Sequence, residues 1–321
     1  MIEILSNTPL ASVQDLGRRG HLGQGVGTSG AMDDLALSIG NLLLGNAADD
    51  AGIEVQVFPF QVRFLRRTTF ALTGADVLAD LEGVPLLPWW TSRAEVGEVL
   101  TLRPPRHGVR AYLTVAGGVQ VTPVLGSRST QLRGAFGGYQ GRTLQPGDRL
   151  PLNTDSDRGP GGFGVTPPIC HLPLQHEGLP ALRVIPAAEY GLFKAECRDA
   201  FWTDGWKITA QSNRYGYRLA GTPILPERPL EMQSHGIVPG VIQVPHGGQP
   251  IIQLRDAQPM GGYPKIGAVI EADIWRLGYI PLGTRVRFLE TDYTAGISAL
   301  DELDDYLRQL RRGVDLQRKA A

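Results

Sequence analysis

Apolar and polar positions alternate with a period of two along most of the chain, the mark of strands whose two faces meet different surroundings. The pattern predicts strands over 58–64, 99–102, 109–115, 251–254 and 286–288, segments rich in Val, Ile, Leu and Phe. Two segments change to a period near 3.6. Over 31–44, Met32, Leu35, Ala36, Ile39, Leu42 and Leu43 share one face. Thr28 or Ser29 can cap that helix, Asp33 and Asp34 suit its positive end, and Gly45 ends it. Over 298–310, Leu300, Leu303, Leu307 and Leu310 make a second stripe, and the basic run 311–321 beyond it is expected to fray into solvent.

Composition strengthens the β reading. The 41 Gly and 24 Pro among 321 residues break helices and shape turns, which favours many short strands. The polar stretch 153–168, dense in Gly and Pro, is the best linker. It sets an N-terminal domain over 1–152, a C-terminal domain over 169–295, and a helix with tail over 296–321. The two halves echo one another. Leu81-Glu82-Gly83-Val84-Pro85-Leu86 answers Leu219-Ala220-Gly221-Thr222-Pro223-Ile224, and Gly137-Gly138-Tyr139 answers Gly261-Gly262-Tyr263. The fold expected is mainly β with minor α, as two related β-barrel domains.

Charge narrows the function. With 31 basic and 32 acidic residues, nothing points to nucleic acid or to an anionic membrane surface. No apolar run approaches a membrane span, and Met1-Ile2-Glu3-Ile4-Leu5 lacks the basic start and long apolar stretch of a signal peptide. Two cysteines, Cys170 and Cys197, make no disulfide framework, so a reducing cytoplasm is expected. The 6 histidines never fall at zinc-ligand spacing with them, and no metal site is expected. No Gly-Lys dipeptide, Met-Lys-Met or Gly-x-Ser-x-Gly occurs, against a Walker A loop, an attached biotin and a nucleophile elbow.

Four constellations can carry chemistry. Gly25, Gly27 and Gly30 spell a dinucleotide-type GxGxxG before a helix, with Asp49 about 20 residues on, but a charged Gly-rich segment precedes it and no βαβ alternation follows. An anion site at the helix start with Arg18 fits better, and a capping loop with Asp15 and Arg18 as an ion pair fits equally well. Gly126-Ser127-Arg128-Ser129-Thr130 is a hydroxyl-rich turn around an Arg, suited to carboxylate or phosphate, or an ordinary exposed turn. In Gln211-Ser212-Asn213-Arg214-Tyr215-Gly216-Tyr217-Arg218-Leu219, Asn213 and Arg214 beside two tyrosines suit a planar or anionic ligand, while Tyr217 and Leu219 can equally alternate in a strand with Arg214 and Arg218 solvated. The richest run follows the apolar 239–245 segment. Asp256 can serve as a base or orient a metal or water, Gly261-Gly262 lets a ligand approach the backbone, and Tyr263 and Lys265 follow, the latter able to neutralise developing negative charge; a hairpin whose polar residues satisfy one another is the alternative.

Read in order, these motifs resemble the allophanate hydrolase subunit 2 family, also called the biotin-dependent carboxyltransferase-related family. The matching landmarks are Val13-Gln14-Asp15-Leu16-Gly17-Arg18, Ser29-Gly30-Ala31-Met32-Asp33, Gly126-Ser127-Arg128-Ser129, Ser212-Asn213-Arg214, Gly240-Val241-Ile242-Gln243-Val244-Pro245 and Gly261-Gly262-Tyr263-Pro264-Lys265. The resemblance implies cyclophilin-like β-barrels and an obligate complex with a subunit 1 or B-type protein and an A-type subunit. It implies a cytoplasmic activity in which ATP, with Mg, drives the opening of the lactam 5-oxo-L-proline to L-glutamate. On that reading Asp256, Lys265 and Tyr263 are the catalytic candidates. Asp15, Arg18, Ser29, Asp33, Arg128, Ser129, Asn213, Arg214, Gln243, Gly261 and Gly262 would bind substrate or phosphate. A carboxyltransferase subunit of the urea carboxylase type, and a non-enzymatic partner of a sensor-kinase inhibitor, stay open beside it. Two departures stand out: Pro259-Met260 where the family usually has Thr-Thr, and Pro245-His246 where it usually has Pro-Pro.

Overall fold

The structure, a computed structural model, describes every residue except 7, 8, 155, 158, 160, 231 and 321. Strands hold 31% of residues and helices 21%, so the chain is mainly β as its periodicity predicts. It divides into two compact units. Met1–Arg19, Ser29–His171 and Tyr306–Ala321 form the first, and Gly20–Thr28 with Leu172–Asp305 form the second.

The first unit is built from two antiparallel sheets. One runs, in spatial order, Arg149–Leu150, Ile2–Ile4, Phe60–Phe64, Val99–Pro105, Val77–Leu81 and Val84–Leu86; the other runs Ser12–Gln14, Gly52–Val55, Ala111–Val115, Thr68–Gly74 and Trp90–Ala94. The inward residues of both, among them Ile2, Phe60, Phe64, Leu102, Ile53, Phe70 and Leu113, make one apolar core. In Phe60–Phe64 burial alternates as the sequence does, with Phe60, Val62 and Phe64 inside. Thr68–Gly74 and Ala111–Val115 are buried at every position, because the helix Asp34–Leu44 covers their outer face. Contact there is close: a Cβ on Gly40 would lie 2.7 Å from Thr114 Oγ1.

In the second unit the order is Leu179–Pro186, Lys265–Val269, Val241–Gln243, Ile251–Gln253, Gly216–Ala220, Trp206–Ile208 and Arg285–Glu290. Arg285–Glu290 returns to lie parallel to Leu179–Pro186, with Leu182 opposite Phe288, and so closes a 7-strand barrel. A short ribbon, His235–Gly236 with Met260–Gly261, stands apart from it.

Three local expectations need correcting. The first helix starts at Asp34, three residues later than the pattern suggests, and its cap is Asp33, whose Oδ1 accepts from Ala36 N at 2.8 Å. The amides of Ala31 and Met32 are already taken, by Asp15 O at 2.9 Å and Glu54 Oε2 at 2.8 Å, so neither joins the helix. The last helix runs over Tyr293–Ala320, through the basic stretch expected to fray. Its residues are strong helix formers, Val314 is buried, and Arg318 lies against Gly45 at the C-terminal end of Asp34–Leu44, where a cation is favoured. Finally, Tyr217 and Leu219 do point inward from Gly216–Ala220, but Arg214 is buried rather than solvated.

Described parts of the stretch expected to be a linker bond to the first unit's strands. Thr69 N donates to Ser156 O at 2.7 Å, and Thr91 N donates to Phe163 O at 2.8 Å. Asp155, Arg158 and Pro160 of that stretch lie outside the described residues.

Candidate functional site

The first unit gathers Asp15, Arg18, Arg128 and Ser129. The chain leaves the strand Ser12–Gln14 at Asp15, whose buried carboxylate accepts from Gly17 N at 2.8 Å, Ser127 Oγ at 2.7 Å, Ser129 Oγ and Arg128 N. Asp15 is therefore held by hydroxyls and amides, not by Arg18. Arg18 donates instead to Ser129 O at 2.6 Å and stacks over Phe136 at 4.8 Å. Arg128 turns its guanidinium to Val121 O at 3.0 Å. The hydroxyl-rich turn is thus a buried clasp on Asp15. Ser29, fully buried at φ 52°, has no hydrogen-bond partner for its Oγ among the described residues. Gly30, at φ 98°, follows it, and a Cβ there would lie 2.9 Å from Gly17 N, so only glycine permits this approach.

Asp33 belongs to a second buried group. Tyr112 Oη donates to Glu54 Oε2 at 2.7 Å and accepts from Asp33 N at 2.8 Å, and Arg110 Nε lies 3.8 Å from Glu54 Oε1. The helix start is therefore lined by carboxyl groups, and the amides of Asp33 and Ala36 are in use. Of the two readings the sequence left open there, an anion site and a capping loop, this geometry favours the capping loop. Burial, with Asp34 and Glu54 adding to it, pushes the Asp33 carboxyl up to about 8. Burial, then the charge of Glu54, pushes the Tyr112 phenol well above its ordinary value, so it stays a donor. The folded chain therefore holds a proton that the unfolded chain releases near its ordinary 3.8. Stability should fall as pH rises between those two values, by at most about 1.4 kcal/mol per unit. Asp33→Asn keeps the cap and should flatten that slope in denaturant titrations at several pH values. An unchanged slope would show that Asp33 does not carry it.

In the second unit, Asp256 is locked to Arg214. Arg214 Nε donates to Oδ2 at 2.9 Å and Nη2 to Oδ1 at 3.2 Å, with both side chains buried. Asp256 N also donates to Arg214 O at 3.0 Å. A carboxylate engaged on both oxygens inside the protein is committed to its buried partner. Asn213 makes an Asx turn, its Oδ1 accepting from Tyr215 N at 2.9 Å. The Gly-rich loop 20–28 packs beside this pair, with Thr28 Oγ1 donating to Arg255 O at 3.3 Å. A Cβ on Gly27 would lie 2.8 Å from Ala257 O.

The Gly261–Lys265 run is positioned by Gln243. Its Nε2 donates to Tyr263 O at 3.3 Å, and its Oε1 accepts from Gln253 Nε2 at 3.1 Å. Gly261 passes so close that a Cβ would lie 2.7 Å from Gln243 Nε2, whereas Gly262 would meet Met232 O at 3.1 Å. Tyr263 is 42% exposed and meets the His246 ring edge-on at 5.8 Å. Lys265 Nζ lies 3.3 Å from Glu189 Oε1, and their side chains are 21% and 13% exposed. Glu189 Oε2 is buried with no hydrogen-bond partner among the described residues. This carboxylate, beside a cation and with one oxygen uncommitted, was missed by sequence reasoning. It stands in Ala187-Ala188-Glu189-Tyr190, far from Lys265 in sequence and in no motif. Glu54 and Tyr112 were missed for the same reason: each sits in an apolar strand.

The carboxyltransferase domain family, subdomains A and B, matches residues 24–290, and the chain belongs to that family. The kinship read from the ordered motifs is thereby borne out. Over 310 residues the chain is 40% identical to the C-type subunit of 5-oxoprolinase from Escherichia coli, covering 97% of each. It is 38% identical to the C-type subunit of 5-oxoprolinase from Haemophilus influenzae, covering 98% of this chain and 99% of that one. The crystal structure of Kluyveromyces lactis urea carboxylase matches 98% of this chain with a TM-score of 0.88 at 28% identity; the match spans 29% of that longer chain.

Proposed function

We propose that this chain is one subunit of an ATP-dependent 5-oxoprolinase, acting with other subunits to open 5-oxo-L-proline to L-glutamate. The observation that carries the reading is an end-to-end match at 40% identity to a protein of that name and nearly equal length. Urea carboxylase relatives match more distantly, one at 28% identity over only 26% of its length. In the reaction, water oxygen bonds to the lactam carbonyl carbon, the C–N bond breaks, and the freed nitrogen takes a proton. Lys265 is suited to draw charge onto the carbonyl oxygen, and Glu189 to hold or pass the proton. Glu189 replaces Asp256 in that role because Asp256 is committed to Arg214.

The helix start after the Gly-rich loop is a poor phosphate cradle for ATP. At the helix start after the Gly-rich loop, Asp33 and Glu54 already occupy amides that a phosphate would need. Among the described residues no group of three or more His, Cys, Asp or Glu is placed to hold a metal. The reading therefore assigns the nucleotide to an A- or B-type partner. It places the complex in the cytoplasm; among the described residues no helix is long and apolar enough to cross a membrane.

Co-expression with A- and B-type partner proteins should yield a complex that releases glutamate from 5-oxo-L-proline only with ATP. An assembled complex without release would overturn the reading, and consumption of carboxybiotin would favour the urea carboxylase alternative.

A further inference from the structure

The second unit contains a cavity of about 380 Å³, the size of a small-molecule site. Lys194, Arg228 and His246 line it against Glu227, its one acid among the described residues, and Pro245 and Pro264 are among its apolar walls. Those walls are fixed. Lys194 N donates to Leu225 O at 3.1 Å, Glu227 N to Leu192 O at 2.9 Å, and Val244 N to Pro264 O at 2.9 Å. Proline fixes its own φ, which limits the backbone order lost on binding. Neither Lys194 nor Arg228 is in an ion pair among the described residues. Two such cations on an apolar, concave surface favour an anion with an apolar body over water and simple salts. His246 ties the cavity to the Gly261–Lys265 run, since its ring meets Tyr263, and Pro264 is shared by both.

We propose that this cavity is a carboxylate-recognition site for a small organic acid. Arg228 and Lys194 meet the carboxylate, and the proline walls cover its apolar part. The site deepens the proposed function if the acid is 5-oxo-L-proline, and that choice of acid rests on the functional reading; the cavity's preference for a carboxylate does not.

The test is calorimetric titration of the full chain with 5-oxo-L-proline, with L-glutamate, with a panel of aliphatic monocarboxylates, and with 2-pyrrolidinone, the same ring without its carboxylate. A carboxylate should bind at least tenfold tighter than 2-pyrrolidinone. The double variant Lys194→Gln/Arg228→Gln, checked for unchanged melting, should weaken that binding tenfold or more. Glu227→Gln should tighten it a few-fold by removing the like charge. If 5-oxo-L-proline fails to bind while another carboxylate binds with the same dependence on Lys194 and Arg228, the cavity assignment stands with that acid as its ligand, and the choice of 5-oxo-L-proline falls. If no carboxylate binds, or if the double variant binds as wild type does, the assignment is overturned. If the assembled complex turns over 5-oxo-L-proline and the double variant leaves KM unchanged, the choice of 5-oxo-L-proline as the acid is overturned while the function stands.

Discussion

Glu189→Gln should lower kcat of the assembled complex about 10²- to 10⁴-fold, the range for losing a group that moves a proton. Its melting temperature should stay within a few degrees, because Gln keeps the shape and can still bond Lys265 Nζ, now 3.3 Å from Oε1. Lys265→Ala should cost a similar factor, since it removes the cation that meets developing charge. The double variant should be hardly worse than either single one, because two groups that act as a unit are not additive. Steady-state kinetics on all three, with melting curves alongside, distinguish this from a structural pair. A structural pair would lose stability first and keep kcat in whatever remained folded.

The second large effect belongs to Arg214 and Asp256. Asp256→Ala should destabilise the protein by about 3–5 kcal/mol, because it leaves a buried guanidinium without its counter-charge. In a unit of this size that lowers the melting temperature by roughly 10 °C. Arg214→Ala should do the same. Arg214→Met with Asp256→Leu should recover most of the loss, since two well-packed apolar side chains need no partner. Should Asp256→Ala melt like wild type and lose only turnover, Asp256 takes part in the chemistry and Glu189 does not replace it.

Much of the fold was legible because burial follows a simple period. Phe60, Val62 and Phe64 alternate with Gln61 and Arg63 in sequence and in the sheet alike. The helix over Asp34–Leu44 was visible in its apolar face, but not its start, because the amides of Ala31 and Met32 are claimed by Asp15 and by Glu54 from a distant strand. Long-range hydrogen bonds of that kind leave no local trace. The same limit governs the site. Asp15 and Ser129 were found through motifs, yet their roles as hub and clasp depend on a contact across more than a hundred positions. Asp256 looked like a free acid because nothing in its own run reveals Arg214 against it. Glu189 had no motif at all, and its pairing with Lys265 comes from the barrel alone.

Closure of that barrel has a consequence for how the protein is made. Leu179–Pro186 is completed by a parallel neighbour, Arg285–Glu290, which emerges from the ribosome long after it. Until then Leu179–Pro186 has an open edge ready to pair with other nascent chains. Loop closure over that span is slow, so the second unit is most exposed to aggregation late in synthesis. It is there that chaperone cover, and slower or cooler expression, protect the chain most.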